Sequence, residues 1–497
     1  MKRQTVLTCA LSLAALIPTG GFAASPTVIP GWPVPAAAGT VHLGPEGGPV
    51  VISDLAGFQT TSSVAAFGRT GSLRWLNVRS WDCGNCDNGP QIAELQPDGT
   101  FGPLGPEGDG PWAVAPDGST VGTCTGVTLP DRTCIAYETQ VSPAFELTPS
   151  ITARRGGLAW EYLSGVGPWH ADGDDAPLKV VRDAAGGIYS SFGDRFVGAT
   201  VPQRMIALTP TGQLRWEAPG AAPLVGLETG VLASRFEEGL VAFTVDGSVL
   251  WTARGLVQGL WSMTYDRPRQ RIYASRGSAA SEDSMVIALD SLTGNELWRT
   301  AERDHARLVS VDASSGVVYV AIDRLRQRGL KAIGPDGRGR WQFDTTTPVV
   351  GARRLSDGTV ALTTDGVSND YSQEPGGLVW RIRPNGPPAT KVLSGDVSIQ
   401  RTTFRRGCDF QGRCPFQKDV GTLVRIALPR RGSLLIRMLG AARRADIDDQ
   451  LITAPAGVSY VRVLGTSFTR PGRKVIHVRG RVGNQTLNVS IQVRITK

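Results

Sequence analysis

Apolar and polar positions alternate along much of this chain, and turn dipeptides interrupt the alternation at short intervals. Four segments show the pattern most clearly: 205–216 (MIALTPTGQLRW), 240–251 (LVAFTVDGSVLW), 288–298 (ALDSLTGNELW) and 329–341 (GLKAIGPDGRGRW). In each, an apolar run enters a Thr-Gly or Asp-Gly turn, and a second run leaves it carrying a Trp. Glycine occupies the positive-φ position of such a turn without steric penalty. In five places the Gly of a Thr-Gly or Asp-Gly dipeptide precedes a Trp by four residues: Gly71/Trp75, Gly212/Trp216, Gly247/Trp251, Gly294/Trp298 and Gly337/Trp341. Alternate residues of a strand share a face, so each phrase predicts a β-hairpin with one large aromatic on one side.

A second hairpin pattern without the Trp lies upstream of most of these, at 180–192, 308–322 and 353–364. Segments 112–124 and 63–78 read as divergent copies. Two hairpins make four antiparallel strands in about 40 residues, the size of a β-propeller blade. A lone four-stranded sheet leaves both faces bare; neighbouring blades cover them, and an aromatic suits that wedge. Blades are predicted at 59–105, 111–148, 176–218, 221–253, 259–300, 305–345 and 349–393. In the first of these, Trp75 falls in the wrong hairpin. Residues 40–58 and 151–170 are unassigned and offer material for an eighth blade. A sandwich array with coincidental turns is the competing reading, and the fivefold Gly-to-Trp offset favours the propeller.

The segment Ala288-x-Asp290-x-x-Thr293-Gly294-x-Glu296-x-Trp298 resembles the tryptophan-docking motif of the pyrroloquinoline-quinone-like (PQQ-like) repeat propellers, with Asn295 in place of the usual Lys. Ala207 with Gly212 and Trp216, and Ala242 with Gly247 and Trp251, match it more loosely, and Gly337/Trp341 keeps the offset. The resemblance covers 176–393 well and 59–148 poorly. It implies a seven-bladed, or eight-bladed, all-β propeller in which these residues dock adjacent blades. The family contains quinoprotein dehydrogenases and non-catalytic members such as the outer-membrane assembly lipoprotein. The dehydrogenases stack PQQ on a vicinal cysteine pair, which this chain lacks, so PQQ is not expected. No other cofactor is expected either, and fold alone does not assign chemistry.

The tail reads differently. Beyond residue 418 the segments TLVRIALP, GSLLIRML, SYVRVLG, KVIHVRGRV and TLNVSIQVRI alternate apolar residues with arginine, as strands with one solvated face do. They predict a small immunoglobulin-like β-sandwich. From Arg401 onward there are 16 Arg and 3 Lys against 5 Asp and no Glu, whereas 25–400 is net negative. With 45 Arg and only 7 Lys in the whole chain, an arginine-rich genome accounts for the residue choice but not for the segregation of charge. Arg425, Arg437, Arg462, Arg479, Arg481 and Arg494 fall on alternate, outward positions and are candidate contacts for a polyanion. A plain solvated surface is the competing reading.

The start of the chain has Lys2 and Arg3, an apolar run at 6–17 and small residues at 21–24, which predicts a signal peptide over 1–24. No later stretch is long and apolar enough to span a bilayer. The expected domains are therefore signal peptide 1–24, an N-terminal segment 25–58 that offers a closing strand, propeller 59–395, linker 396–418 and basic sandwich 419–497. Export makes cysteine pairing the expectation, with neighbours in sequence joined as Cys83–Cys86, Cys124–Cys134 and Cys408–Cys414. The acidic turns 82–88 and 172–175 are candidate calcium loops, with solvated turns as the alternative. His42, His170, His305 and His477 are scattered, and no metal or nucleophile motif occurs. These readings favour an exported, monomeric binding scaffold for a protein or cell-envelope polymer, without nucleic acid. The alternative is a secreted propeller enzyme, quinone- or calcium-dependent or acting on carbohydrate.

Overall fold

The computed structural model describes residues 26–496 apart from several segments, of which the longest are 94–111, 164–179, 193–203, 366–376 and 406–420. Its described elements are strands, with one single-turn 3-10 helix at Arg267–Arg269. Six sheets of four or five strands follow one another along the chain, each a meander in chain order, and a seventh combines strands from both ends of this region. Blade 5 is typical: Leu260–Asp266, Arg271–Ser278, Ser281–Asp290 and Glu296–Arg303 pair antiparallel in sequence order. Its last turn is set locally. Asp290 Oδ1 accepts the backbone N–H of Leu292 (3.0 Å) and Thr293 (2.8 Å) and the Thr293 hydroxyl (3.0 Å), and Gly294 completes the turn at φ +72°. An Asx turn of this kind removes two backbone donors from competition with the ladder.

The other blades repeat the plan. Blade 1 spans 40–93, blade 2 127–163, blade 3 181–219, blade 4 221–253 and blade 6 305–345. Blade 7 joins both ends of the propeller chain. Val349–Arg354, Val360–Thr364 and Gly377–Arg383 supply three strands, and Thr27–Val28 with Val34–Ala36 pairs with the last of them as the fourth. The innermost strands of blades 3 to 7 stand side by side in order, and the first strand of blade 1 lies beside the first of blade 7. Blade 7 is thus built from both ends of the propeller chain, and both of its N-terminal strands fall within 25–58.

The core lies between blades. Tyr189, Met205 and Ala207 of blade 3 pack on Val231, Ala233, Val241 and Phe243 of blade 4, with Trp216 between them. Tyr273, Val286 and Ala288 of blade 5 meet Ala306, Leu308 and Val320 of blade 6 around Trp298. In six blades the Trp of the outer strand is paired in register with an alanine: Ala66/Trp75, Ala153/Trp160, Ala207/Trp216, Ala242/Trp251, Ala288/Trp298 and Ala332/Trp341.

The framing of the first two blades differs from the sequence reading. Blade 1 begins at Thr40, which places Trp75 in the outer hairpin after all. Blade 2 takes its outer strands from Leu147–Arg154 and Leu158–Leu163, so 151–163 completes a blade instead of starting an eighth. The hairpin Trp112–Val114 with Thr120–Thr123 pairs only with itself among the described strands. Its turn chemistry imitates a blade hairpin, and a local pattern cannot say which sheet a hairpin joins.

Residues 396–496 form the predicted sandwich. Asp396–Ile399, Thr422–Leu428 and Gly457–Val463 make a three-stranded sheet. Thr403–Arg405, Gln485–Thr496, Gly472–Val482, Gly432–Leu439 and Ala445–Ala454 make a five-stranded one, in that order. The first strand leaves one sheet and its continuation runs parallel to the last strand of the other, an immunoglobulin-like arrangement. Val424, Ile426, Ile436, Val461, Ile476 and Val478 fill the space between the sheets. The domain starts at Asp396, earlier than 419, because these two short strands belong to it.

Candidate functional site

Five tryptophans are held by the next blade. Trp216 Nε1 donates to the Val245 carbonyl (2.9 Å), Trp251 to Ser291 (2.9 Å) and Trp298 to Pro335 (2.9 Å). Two further tryptophans absent from the sequence reading do the same: Trp160 donates to Pro210 (3.1 Å), and Trp32, in the closing segment, to Arg69 (3.3 Å). The acceptor lies in the turn whose glycine the motif marks. A Cβ on Gly212 would stand 2.5 Å from the Trp160 ring, on Gly247 2.8 Å from Trp216, on Gly294 2.6 Å from Trp251, and on Gly337 3.0 Å from Trp298. The glycine therefore serves two ends. It takes the positive φ of its own turn, and it leaves room for the tryptophan of the preceding blade. Trp341 is 5% exposed in the blade 6–7 core. The signal for blade 2 was present in the sequence, since Gly156 precedes Trp160 by four. Trp32 has no such signal, because its partner strand comes from the other end of the propeller.

The six tail arginines separate into two groups. Leu423 joins the core of blades 6 and 7, Tyr460 packs edge-on against Trp380 (6.1 Å), and the Thr346 hydroxyl donates to the Tyr460 carbonyl (2.7 Å). The outer face of the three-stranded sheet is thus the contact with the propeller. Arg462 lies on that face and is 3% exposed, and Arg425 on the same sheet pairs with Asp396 (3.1 Å). Both have outward parity, as the alternation predicts, but Arg462 is covered by the propeller and is not available to a polyanion. Arg431 also pairs with Asp344 of blade 6, and Arg328 donates to the Leu451 carbonyl (3.3 Å).

Arg437, Arg479, Arg481 and Arg494 stand on the outer face of the five-stranded sheet, joined by Arg473 and His477. Arg473 is directly opposite Arg494, and Arg437 is opposite His477. The three strands that carry them, Gly432–Leu439, Gly472–Val482 and Gln485–Thr496, contain no Asp or Glu. Arg473, Arg481 and Arg494 are exposed and make no ion pair with a described residue. Like charges placed opposite one another on a sheet destabilise it by roughly 0.2–1 kcal/mol per pair. An anion laid across the strands would reverse that sign.

Toward the axis, His42 on the first strand of blade 1 hydrogen-bonds Thr40 Oγ1 (3.1 Å). Burial, and then the charge of Arg353 on the neighbouring inner strand, push its imidazole down to about 4, so it is neutral at ordinary pH. Among the described residues no three His, Cys, Asp or Glu side chains converge on a point that would hold a metal. The loops 83–88 and 172–175 lie outside the described residues, as do the His170 and His305 side chains. Cys134 is disulfide-bonded; Cys83, Cys86, Cys124, Cys408 and Cys414 lie outside the described residues, as does the predicted signal peptide. No described helix is long and apolar enough to cross a membrane.

Residues 282–404 match the family model described as outer membrane protein assembly factor BamB, a PQQ-like repeat family. The resemblance read from 288–298 is shown over that span, from the outer half of blade 5 to the first strands of the sandwich. No curated protein sequence matches the chain. Similar solved structures include BamB from Moraxella catarrhalis, at 12% identity and TM-score 0.37, over 72% of this chain and 98% of that one. The C-terminal WD40 domain of Sif2 is similar at 11% identity and TM-score 0.36, over 74% and 100%. An oligogalacturonate lyase in complex with manganese is similar at 9% identity and TM-score 0.36, over 73% and 98%.

Proposed function

We propose that this protein is an extracytoplasmic, non-catalytic binding scaffold. The propeller engages a protein partner, and the C-terminal sandwich docks the molecule to an anionic polymer or headgroup layer of the cell envelope. The family match over 282–404 supports the scaffold reading, since the model's description is of an assembly factor. The observation that carries the docking reading is the outer face of three neighbouring strands of the five-stranded sheet, Gly432–Leu439, Gly472–Val482 and Gln485–Thr496, which contain no Asp or Glu, while the opposite sheet is spent on the contact with the propeller. Guanidinium groups bind carboxylate and phosphate oxygens with two parallel hydrogen bonds, and a row of them sums a field over the whole face.

Such binding is screened: the Debye length falls from about 30 Å at 0.01 M salt to about 10 Å at 0.1 M. The test is co-sedimentation of the full chain with vesicles containing phosphatidylglycerol, against phosphatidylcholine alone, across a salt series. Binding that is strong at low salt, collapses as salt rises, and is reduced at least tenfold in the triple variant Arg473→Ser, Arg481→Ser, Arg494→Ser supports the reading. Equal binding by that variant, or no binding to phosphatidylglycerol or to polyglutamate at low salt, overturns it.

A further inference from the structure

Between blades 6 and 7, where their innermost strands begin, lies a cavity of about 240 Å³ lined by Arg307, Ala321, Asp323, Pro348, Val349, Val350 and Asp365. Its depth is apolar: Ala321 and Val349 are 5% and 3% exposed, and Pro348 and Val350 extend the wall. Arg307 and Asp365 are exposed and stand at the mouth. The frame is rigid. Asp365 donates its N–H to the Pro348 carbonyl (3.0 Å) and accepts the Thr347 hydroxyl at its own carbonyl (2.6 Å). Thr347 belongs to a buried threonine strap, 345–347, whose middle member is tied to the sandwich through Tyr460.

The charges at the mouth are committed unequally. Arg328 holds Asp323 (2.9 Å) and is itself fixed by the Leu451 carbonyl of the sandwich. The Arg307 guanidinium donates to the carbonyls of Val349 (3.2 Å) and Val350 (2.7 Å). The Asp365 carboxylate makes no hydrogen bond or ion pair with a described residue, although the charges of Asp323, Arg307 and Arg328 all act on it. Desolvation by the surrounding protein, then the charge of Asp323, push its carboxyl up to about 6, against the opposing pull of the two arginines. An unpaired carboxylate above an apolar shaft calls for a ligand with a cationic end and an aliphatic stem. The volume is below the roughly 300 Å³ at which drug-sized sites begin, so it suits one side chain. Calcium would need six to eight oxygen ligands, more than one free carboxylate offers.

We propose that this cavity is a lysine-recognition pocket: it takes one lysine side chain of a protein partner, the stem along Val349, Val350 and Ala321 and the ammonium against Asp365. The inference goes beyond the envelope-docking reading, which uses the opposite end of the sandwich and arginine instead of aspartate. It places part of the protein-binding surface at the channel mouth, beside the joint between the two domains.

The test uses Nα-acetyl-lysine methylamide as probe, at millimolar concentration, with saturation-transfer NMR on the full chain. Its Nε-acetylated analogue keeps the stem and removes the charge. The expected results are saturable transfer to the lysine probe, at least tenfold weaker binding of the analogue, and a similar loss in Asp365→Asn. Because the Asp365 carboxylate has no partner to lose among the described residues, that variant is expected to fold. Independently of any variant, binding to the wild-type chain should fall about tenfold from pH 7 to pH 5, as a carboxyl titrating near 6 becomes protonated. No saturable transfer, equal binding of the acetylated analogue, unchanged binding by Asp365→Asn, or a flat profile over that pH range would each overturn the proposal.

Discussion

Gly294 offers the sharpest test of blade docking, because its two roles can be separated. Replacing it with alanine puts a Cβ 2.6 Å from Cε3 of Trp251, at φ +72°. The left-handed backbone alone costs an alanine roughly 1–2 kcal/mol. Overpacking against a well-packed ring adds about 1–3 kcal/mol, so the expected loss is ~2–5 kcal/mol. Gly220 supplies the control: its φ is +67°, and a Cβ there meets nothing within 4 Å. Gly220→Ala should therefore cost only the backbone share, roughly 1–2 kcal/mol. A double-mutant cycle closes the argument. Trp251→Ala alone removes an aromatic 8% exposed and should cost about 3–5 kcal/mol. In that background Gly294→Ala should add no more than Gly220→Ala does, since the ring it collides with is gone. Urea unfolding followed by circular dichroism, which does not depend on the tryptophan signal, measures all four. Equal losses for Gly294→Ala and Gly220→Ala, or full additivity in the cycle, would mean that the glycine serves its own turn only.

Further outcomes follow from other contacts. Trp32→Ala, which removes a side chain 6% exposed at the closure of blades 7 and 1, should lower stability by about 3–5 kcal/mol; a neutral result in urea unfolding would mean that the ring does not close through it. The Tyr189 hydroxyl donates to buried Asp183 (2.6 Å), so Tyr189→Phe strands a buried carboxylate acceptor and should cost about 1–3 kcal/mol by the same assay. His42 titrates near 4 in the fold and near 6.5 unfolded, so between those values the unfolded chain binds the extra proton. Stability therefore falls as pH drops through that window, and His42→Gln should flatten this part of the wild-type profile in unfolding measured from pH 7 to 4. Burial opposes ionisation of Asp312, but hydrogen bonds from Ser315, Arg354 and Ser314 outweigh it and hold the carboxyl below its usual range. Its contribution is present above the unfolded pKa and lost as pH falls through the folded one, so Asp312→Asn should lose part of the acid limb below pH 4.

Legibility in the sequence followed the range of the interactions. The outer hairpins of blades 3 to 6 were readable because turn, alternation and Trp all sit within about a dozen residues. Their glycines were readable only as turn formers; their second role depends on a ring 31 to 52 residues earlier, as with Trp160 and Gly212. Blade 2 was misframed because the hairpin at 112–123 carries the same local chemistry and drew the blade toward the N-terminus, ending it at 148, short of Gly156 and Trp160. Blade 7 could be suspected from a missing strand, yet nothing near Trp32 names Arg69, 37 residues on, as its acceptor, or Arg381, which donates to the same carbonyl from 312 residues away.

The tail arginines show where parity stops being informative. Alternation correctly separates inward from outward positions on both sheets of the sandwich, because that is a property of one strand. Whether an outward position meets water is a property of what the sheet is packed against. Leu423 and Tyr460 bring the three-stranded sheet onto blades 6 and 7, and Arg462, between them in space, is buried by that contact. The same contact decides that the five-stranded sheet keeps its outer face, since a sandwich has two faces and one is already taken. A substitution that loosens the joint, such as Tyr460→Ala, should therefore expose Arg462 while leaving Arg473, Arg481 and Arg494 unchanged. Vesicle binding should persist in that variant, but the tie from Tyr460 to the threonine strap would be weakened, and with it the fixed position of Asp365. The lysine probe would then bind more weakly with no residue of its pocket altered. Loss of both activities together would show instead that the basic face depends on the joint, and that the two faces of the sandwich are not independent.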